Sequence, residues 1–221
     1  MNKITGTIIT LNAEKYIERA IKSLQSICDE VVVLDSESTD LTRDIAVKSG
    51  AKVFIQSFLG DGAQKKEASK FSKNNWIFSM DADEYLANDL VEFIKKIKLN
   101  GDYDSYSFRR KNFCGDEWIK AAGFYPDEVT RLYDKTKVNY DTRADHAAVA
   151  SIKKYKTKTH IIHNTYESME EWIDKMNFRS SMSAQQLYKD GVKASSIRPI
   201  TRCIFAFFKK LIIKGLSLIH I

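Results

Sequence analysis

Trp76-Ile77-Phe78-Ser79-Met80 is a run of strand formers that leads straight into Asp81-Ala82-Asp83-Glu84. Alternate side chains of a strand share a face, so the spacing predicts that Asp81 and Asp83 point the same way, with Ala82 opposite. Two carboxylates at the end of a buried strand repel each other and lose hydration. A hard divalent cation, Mg2+ or Mn2+, relieves that penalty, and it is typically held by one or two carboxylates together with diphosphate oxygens. The carboxyl end of a strand is also where open α/β sheets bind ligands. An isolated D-x-D is more often a solvated acidic turn, so this reading depends on its surroundings.

Asp35 closes a second apolar run in Leu34-Asp35-Ser36-Glu37-Ser38-Thr39-Asp40. A carboxylate there can accept from a uracil imide or a ribose hydroxyl, or it can cap the following helix. In Gln64-Lys65-Lys66 the lysines can neutralise a diphosphate, or they can form a solvated helix face. The chain has neither G-x-G-x-x-G after the first strand nor G-x-x-x-x-G-K-S/T, so a bound nucleotide would depend on metal and side chains. His146 and His163 could each ligate a metal or contact the diphosphate, although a lone histidine is more often structural.

The elements that must carry these residues alternate. Strands are predicted over Ile4–Thr10, Val31–Leu34, Lys52–Ile55 and Trp76–Met80. Between them lie predicted helices over Glu14–Ser26, capped by Asn12, from Thr39 or Asp40 to Lys48, ended by Gly50, and over Ala63–Phe71. A further helix capped by Asn88 carries Leu90, Val91, Phe93, Ile94 and Ile97 at helical spacing. This alternation argues for a parallel, doubly wound sheet. Shorter strands over Tyr106–Phe108, Val129–Tyr133 and Ala147–Ile152 suggest an antiparallel extension. Ser168-Met169-Glu170-Glu171 is a capping-box pattern opening a long helix, with Trp172, Ile173, Met176 and Leu187 as expected core contacts.

The chain has 221 residues, enough for one large domain with a sizeable core or for a domain with an appendage. Its three cysteines show no metal spacing and suggest reduced thiols in a cytosolic protein. The N-terminus enters a strand at once, without the pattern of a signal peptide, and no apolar run is long enough to span a bilayer. The net charge of +6 is local: no acidic residue follows Asp190, and Lys193, Arg198, Arg202, Lys209, Lys210 and Lys214 carry the whole excess. A nucleic-acid surface should instead be basic across a folded face. Ile200, Ile204, Phe207, Phe208 and Leu211 share one face of this basic tail, which suits a helix lying in an anionic membrane interface or one docked on the core.

Taken in order, these blocks resemble the family 2 glycosyltransferases, in particular small bacterial members that build lipopolysaccharide core as β-1,4-glucosyltransferases. The resemblance runs through nearly the whole chain. It rests on Ile8-Ile9-Thr10-Leu11-Asn12-Ala13-Glu14, the Asp35 block, Gly62-Ala63-Gln64-Lys65-Lys66-Glu67-Ala68, Asp81-Ala82-Asp83-Glu84, Gly123-Phe124-Tyr125-Pro126-Asp127, Arg131-Leu132 and His163. Relatives commonly carry His-Glu where this chain has His146-Ala147, and Gln-Lys-Asn where it has Gln64-Lys65-Lys66.

The resemblance implies a glycosyltransferase-A fold, a Rossmann-like, mostly parallel sheet with a small antiparallel extension and C-terminal helices. Residues 1–166 would form the catalytic core, with a nucleotide half over about 1–100 and an acceptor half over about 101–166. Residues 167–221 would form the helical, membrane-seeking segment. It implies inverting transfer of glucose from a UDP-sugar to a lipopolysaccharide core or other surface glycan or glycolipid, at the inner face of the cytoplasmic membrane, with no nucleic-acid partner. Thr10, Asn12 and Glu14 would lie against base or ribose, Asp35 at the uracil, and Lys65 near the base or diphosphate. Asp81 would meet ribose or metal, Asp83 would be the direct metal ligand, and Asp127 would be the general base. A sugar nucleotidyltransferase would want a glycine-rich loop that Ile9-Thr10-Leu11-Asn12-Ala13 does not offer. A non-catalytic membrane adaptor retaining the fold would have no need of Asp81, Asp83 and Asp127.

Overall fold

The computed structural model describes residues 3–121, 123–141, 147–192, 195 and 197–209. His146, Lys193, Lys210, Leu211 and Lys214 lie outside the described residues. Strands β1 (Ile4–Thr10), β2 (Glu30–Asp35), β3 (Lys52–Ile55) and β4 (Trp76–Asp81) pair in parallel in the order β3-β2-β1-β4. Helices α1 (Ile17–Gln25), α2 (Thr42–Lys48) and α3 (Asp61–Lys70) connect them. After β5 (Glu84–Leu86) and α4 (Asn88–Lys96) come β6 (Ser105–Cys114), β7 (Glu117–Trp118), β8 (Asp127–Asp134) and β9 (Lys154–Tyr166). These continue the sheet as β4-β8-β6-β9-β5, with β4–β8 and β5–β9 antiparallel and β7 paired to β6. Helices α5 (Met169–Lys189) and α6 (Ile197–Phe208) follow.

The chain divides into two compact units, residues 1–110 with 128–163, and residues 111–127 with 164–221. The first holds the main core. The continuous apolar run of β2 is buried on both faces, as a covered parallel strand requires. Ile17, Ala20, Ile21 and Leu24 form the buried stripe of α1. Gly6 brings that helix close: a Cβ there would stand 2.9 Å from Leu24 Cδ1. Gly62 has a similar task, since a Cβ would lie 2.0 Å from the Asp141 carbonyl oxygen.

Several expectations are corrected. Asn12 does not cap α1, which begins later; its φ of 48° turns the chain and frees its side chain for another loop. Residues 147–152 form no strand but a single bridge, Tyr140 to Val149, and Ile152 is exposed. The strand lies further on, in β9, where Lys154-Tyr155-Lys156-Thr157-Lys158-Thr159 does alternate with period two but sets lysine against mostly threonine, so it lacks the apolar face that marks a strand most plainly. Ser168 caps α5, its Oγ accepting the Glu171 N–H at 3.2 Å, and Trp172 stacks on Tyr166 at 5.0 Å. Ile173, Met176 and Leu187, however, are about half exposed and are not core.

Candidate active site

The parallel strands end together. Register pairs Thr10 with Asp35 and Ile9 with Asp81, so the residues singled out on β1, β2 and β4 reach one edge of the sheet. Two loops are laced there. The Asn12 N–H donates to Ser38 Oγ at 2.9 Å, and Asn12 Oδ1 accepts the Thr39 N–H at 2.8 Å. The Ala13 N–H donates to Thr42 Oγ1 at 2.7 Å, and Glu14 Oε2 accepts the Leu41 N–H at 3.0 Å. Reciprocal bonds of this kind fix both loops relative to the sheet without a glycine-rich turn. Thr10 lies beneath them, and its buried Oγ1 has no hydrogen-bond partner among the described residues.

Asp35 is enclosed at the end of β2. It has no accessible surface, and its two oxygens accept the Ser38 N–H at 2.8 Å and the Ser38 hydroxyl at 2.5 Å. These bonds hold the turn that follows β2. Gln64, fully buried, joins the same region by donating to Ser36 Oγ at 3.1 Å and accepting the Leu59 N–H at 3.2 Å.

The acidic motif is a turn and not the continuing strand that period-two spacing predicts. β4 stops at Asp81, residues 82–83 turn, and Glu84 opens β5. Glu84 holds that turn: its Oε2 accepts the Asp81 N–H at 3.2 Å while the carboxylate is wholly buried. Such a buried anion is costly unless paired. Arg131 on β8 meets Glu84 Oε1 at 2.5 Å and Asp81 Oδ2 at 2.6 Å, and Arg110 on β6 meets Glu84 Oε1 at 3.1 Å. Lys65 on α3 takes the other Asp81 oxygen at 3.0 Å and also Asp61 at 2.7 Å.

Burial alone would raise the Asp81 carboxyl pKa, but the Arg131 guanidinium and the Lys65 ammonium outweigh it and hold the group well below the usual carboxylate range. Burial would likewise lower Lys65, and the Asp81 charge reverses this, keeping the ammonium above the ordinary lysine range. Three carboxylates (Asp61, Asp81, Glu84) thus stand against three cations (Lys65, Arg110, Arg131). Asp81 is committed on both oxygens.

Asp83 lies outside this balance. Its Oδ2 stands 3.4 Å from His163 Nε2, because β5 pairs antiparallel with β9 and sets Glu84 opposite His163. Both side chains retain solvent access, 33% for Asp83 and 14% for His163. Among the described residues no three His, Cys, Asp or Glu side chains converge as a metal cage. An oxygen and an imidazole nitrogen that remain accessible suit an ion completed by substrate oxygens.

In the second unit, Asp127 opens β8 and its Oδ2 accepts from Asn112 Nδ2 at 3.2 Å. The roles of Glu84, Arg110, Arg131 and Asn112 do not follow from composition. One signal was legible: Arg131 sits in phase with Val129 and Tyr133, and a charge sharing a face with such residues implies a buried counter-ion.

A parallel sheet extended by antiparallel strands, with an acidic turn at the carboxyl end of its fourth strand, defines a glycosyltransferase-A fold. The likeness extends to S. aureus TarS (residues 1–349), with a TM-score of 0.54 at 16% identity over 74% of this chain and 60% of that one. The sequence pattern of Glycosyl transferase family 2 matches residues 7–160, and the chain belongs to that family. An uncharacterised glycosyltransferase of Rickettsia bellii is 36% identical over 226 residues, 96% of this chain and 76% of the relative. A lipopolysaccharide core biosynthesis glycosyltransferase, LpsC of Rhizobium meliloti, is 27% identical over 85% of this chain and 73% of its own length.

Proposed function

We propose that the chain transfers glucose, with inversion, from UDP-glucose to a lipopolysaccharide core or similar surface glycan. The observation that carries this reading is the division of labour in the acidic turn: Asp81 is fixed by Lys65 and Arg131, while Asp83 and His163 remain accessible as a pair. The similarity to LpsC supports the acceptor class. S. aureus TarS has been crystallised with UDP and with UDP-GlcNAc, which is a property of TarS.

In this reading the nucleotide lies on the laced loops of Thr10, Asn12 and Glu14, over the segment shaped by Asp35. Lys65 and Asp81 border the ribose and diphosphate, and Asp83 with His163 would hold Mg2+ or Mn2+. A bound divalent cation supplies stabilisation of the charge that develops on the leaving diphosphate. The acceptor hydroxyl oxygen attacks the anomeric carbon from the face opposite the diphosphate. As the new C–O bond forms, Asp127 takes the hydroxyl proton, and the bond to the diphosphate oxygen breaks to release UDP. A base so placed is worth roughly 10²–10⁴-fold.

The enzyme works at the inner face of the cytoplasmic membrane, held by its basic tail. On α6, Ile200, Ile204, Phe207 and Phe208 are exposed, which suits an apolar face turned to lipid. Among the described residues no helix is long and apolar enough to cross a membrane.

The deciding experiment is thermal shift with UDP-, GDP- and CMP-sugars, with and without Mn2+, followed by transfer assays on rough lipopolysaccharide. Stabilisation by UDP-sugar that grows with Mn2+ is expected, since ligand binding to the folded state raises its stability. Stabilisation by GDP- or CMP-sugars alone would overturn the donor assignment.

A further inference from the structure

We infer that Asn112 is the positioning residue for the base, a reading that rests on Asp127 serving as that base. Asn112 lies on β6, is 3% exposed, and has both polar side-chain atoms engaged within the second unit. Its Nδ2 donates to the Phe124 carbonyl at 3.0 Å and to Asp127 Oδ2 at 3.2 Å, and its Oδ1 accepts the Thr165 hydroxyl at 3.1 Å. The Phe124 carbonyl can only accept, which fixes the amide orientation and makes the contact with Asp127 a donation. The Asn112 carbonyl accepts the Ile119 N–H at 2.9 Å, so the backbone beneath the amide is held as well.

The consequence concerns the direction of the carboxylate. With Oδ2 held by a fixed donor, the carboxylate cannot rotate freely, so the geometry with which it meets the acceptor hydroxyl is set by the amide. Catalysis of this kind is sensitive to placement, and a shift of about 1 Å can cost on the order of 10²-fold. A buried polar side chain with all its bonds made is also a rigid anchor. Thr165 secures the amide from the other side.

The test is a double-mutant cycle in transfer of glucose from UDP-glucose to rough lipopolysaccharide. Asn112→Ala should lower kcat about 10-fold or more in the wild-type background and change it less than about twofold in the Asp127→Asn background. UDP-glucose affinity, read by titration on the same preparations, should stay within about twofold in all forms. Thr165→Val, nearly isosteric, is the second variant should Asn112→Ala not fold. It should produce a smaller loss of kcat that also vanishes when Asp127 is Asn.

Equal losses in both backgrounds would make Asn112 merely structural and overturn the inference, while leaving Asp127 as the base. Full activity of Asp127→Asn would remove the base reading, and this inference with it. An unchanged kcat in both Asn112→Ala and Thr165→Val would overturn the inference alone.

Discussion

His163 Nε2 stands 3.4 Å from Asp83 Oδ2, although 80 positions separate them in the chain, because β5 and β9 pair in a register that sets Glu84 opposite His163. The motif residue best able to hold a cation is therefore the one in the turn. The one at the strand end, Asp81, is consumed by protein cations. A different pairing, β4 with β8, explains why the motif tolerates its own charge: it brings up Arg131, which Glu84 and Asp81 share, and Asp83 is left to its neighbour.

Asp83→Ala should abolish transfer while leaving the unfolding midpoint nearly unchanged, since Asp83 lies in a turn and is a third exposed. Turnover and Mn2+ affinity measured on the same preparation check this. Full activity of the variant, or of the wild type in excess chelator, would reject the metal-dependent mechanism.

Arg131→Met should destabilise the fold by about 3 kcal/mol, because it leaves the buried Glu84 with Arg110 as its remaining cation and removes one partner of Asp81. Urea unfolding gives the value. Adding Glu84→Gln should recover part of the loss, since a neutral amide costs less to bury alone than a carboxylate.

Stability should depend on pH at both ends of the scale. Asp81 has a lowered folded pKa, so its contribution is complete above the unfolded value of about 3.9 and disappears as pH falls toward the folded one. Lys65 has a raised folded pKa, so its contribution is complete below about 10.4 and is lost as pH rises through the folded value. Urea midpoints should be flatter across the acid range in Asp81→Asn than in the wild type. Parallel curves would mean that other carboxylates govern acid unfolding.

Asp127→Asn keeps size but cannot take a proton at neutral pH. Transfer should fall about 100-fold or more, with UDP-sugar affinity preserved. If affinity and turnover collapsed together, Asp127 would be a donor-site or structural residue instead.

Removal of residues 199–221 should weaken binding to anionic vesicles more than it weakens UDP binding, and high salt should reproduce part of the effect. Cosedimentation of the two forms measures this. Equal binding by both would assign the tail to packing within the protein.

Local chemistry made much of this protein readable from its residues. The continuous apolar run of β2, the helical stripe of α1 and the termination of α2 at Gly50, whose φ is 83°, are effects of near neighbours, and the structure bears them out. Trp76-Ile77-Phe78-Ser79-Met80 likewise forms β4, which ends at the acidic motif. The partners of that motif were not readable in the same way. Arg131, Arg110 and His163 approach Asp81, Asp83 and Glu84 through β6, β8 and β9, and the first half of β9 alternates lysine with mostly polar residues, without an apolar face. Whether a carboxylate is exposed, buried or neutralised depends on charges that arrive from other strands. The residue types made metal chemistry conceivable; tertiary pairing decided that Asp81 is an anchor and that Asp83 faces His163.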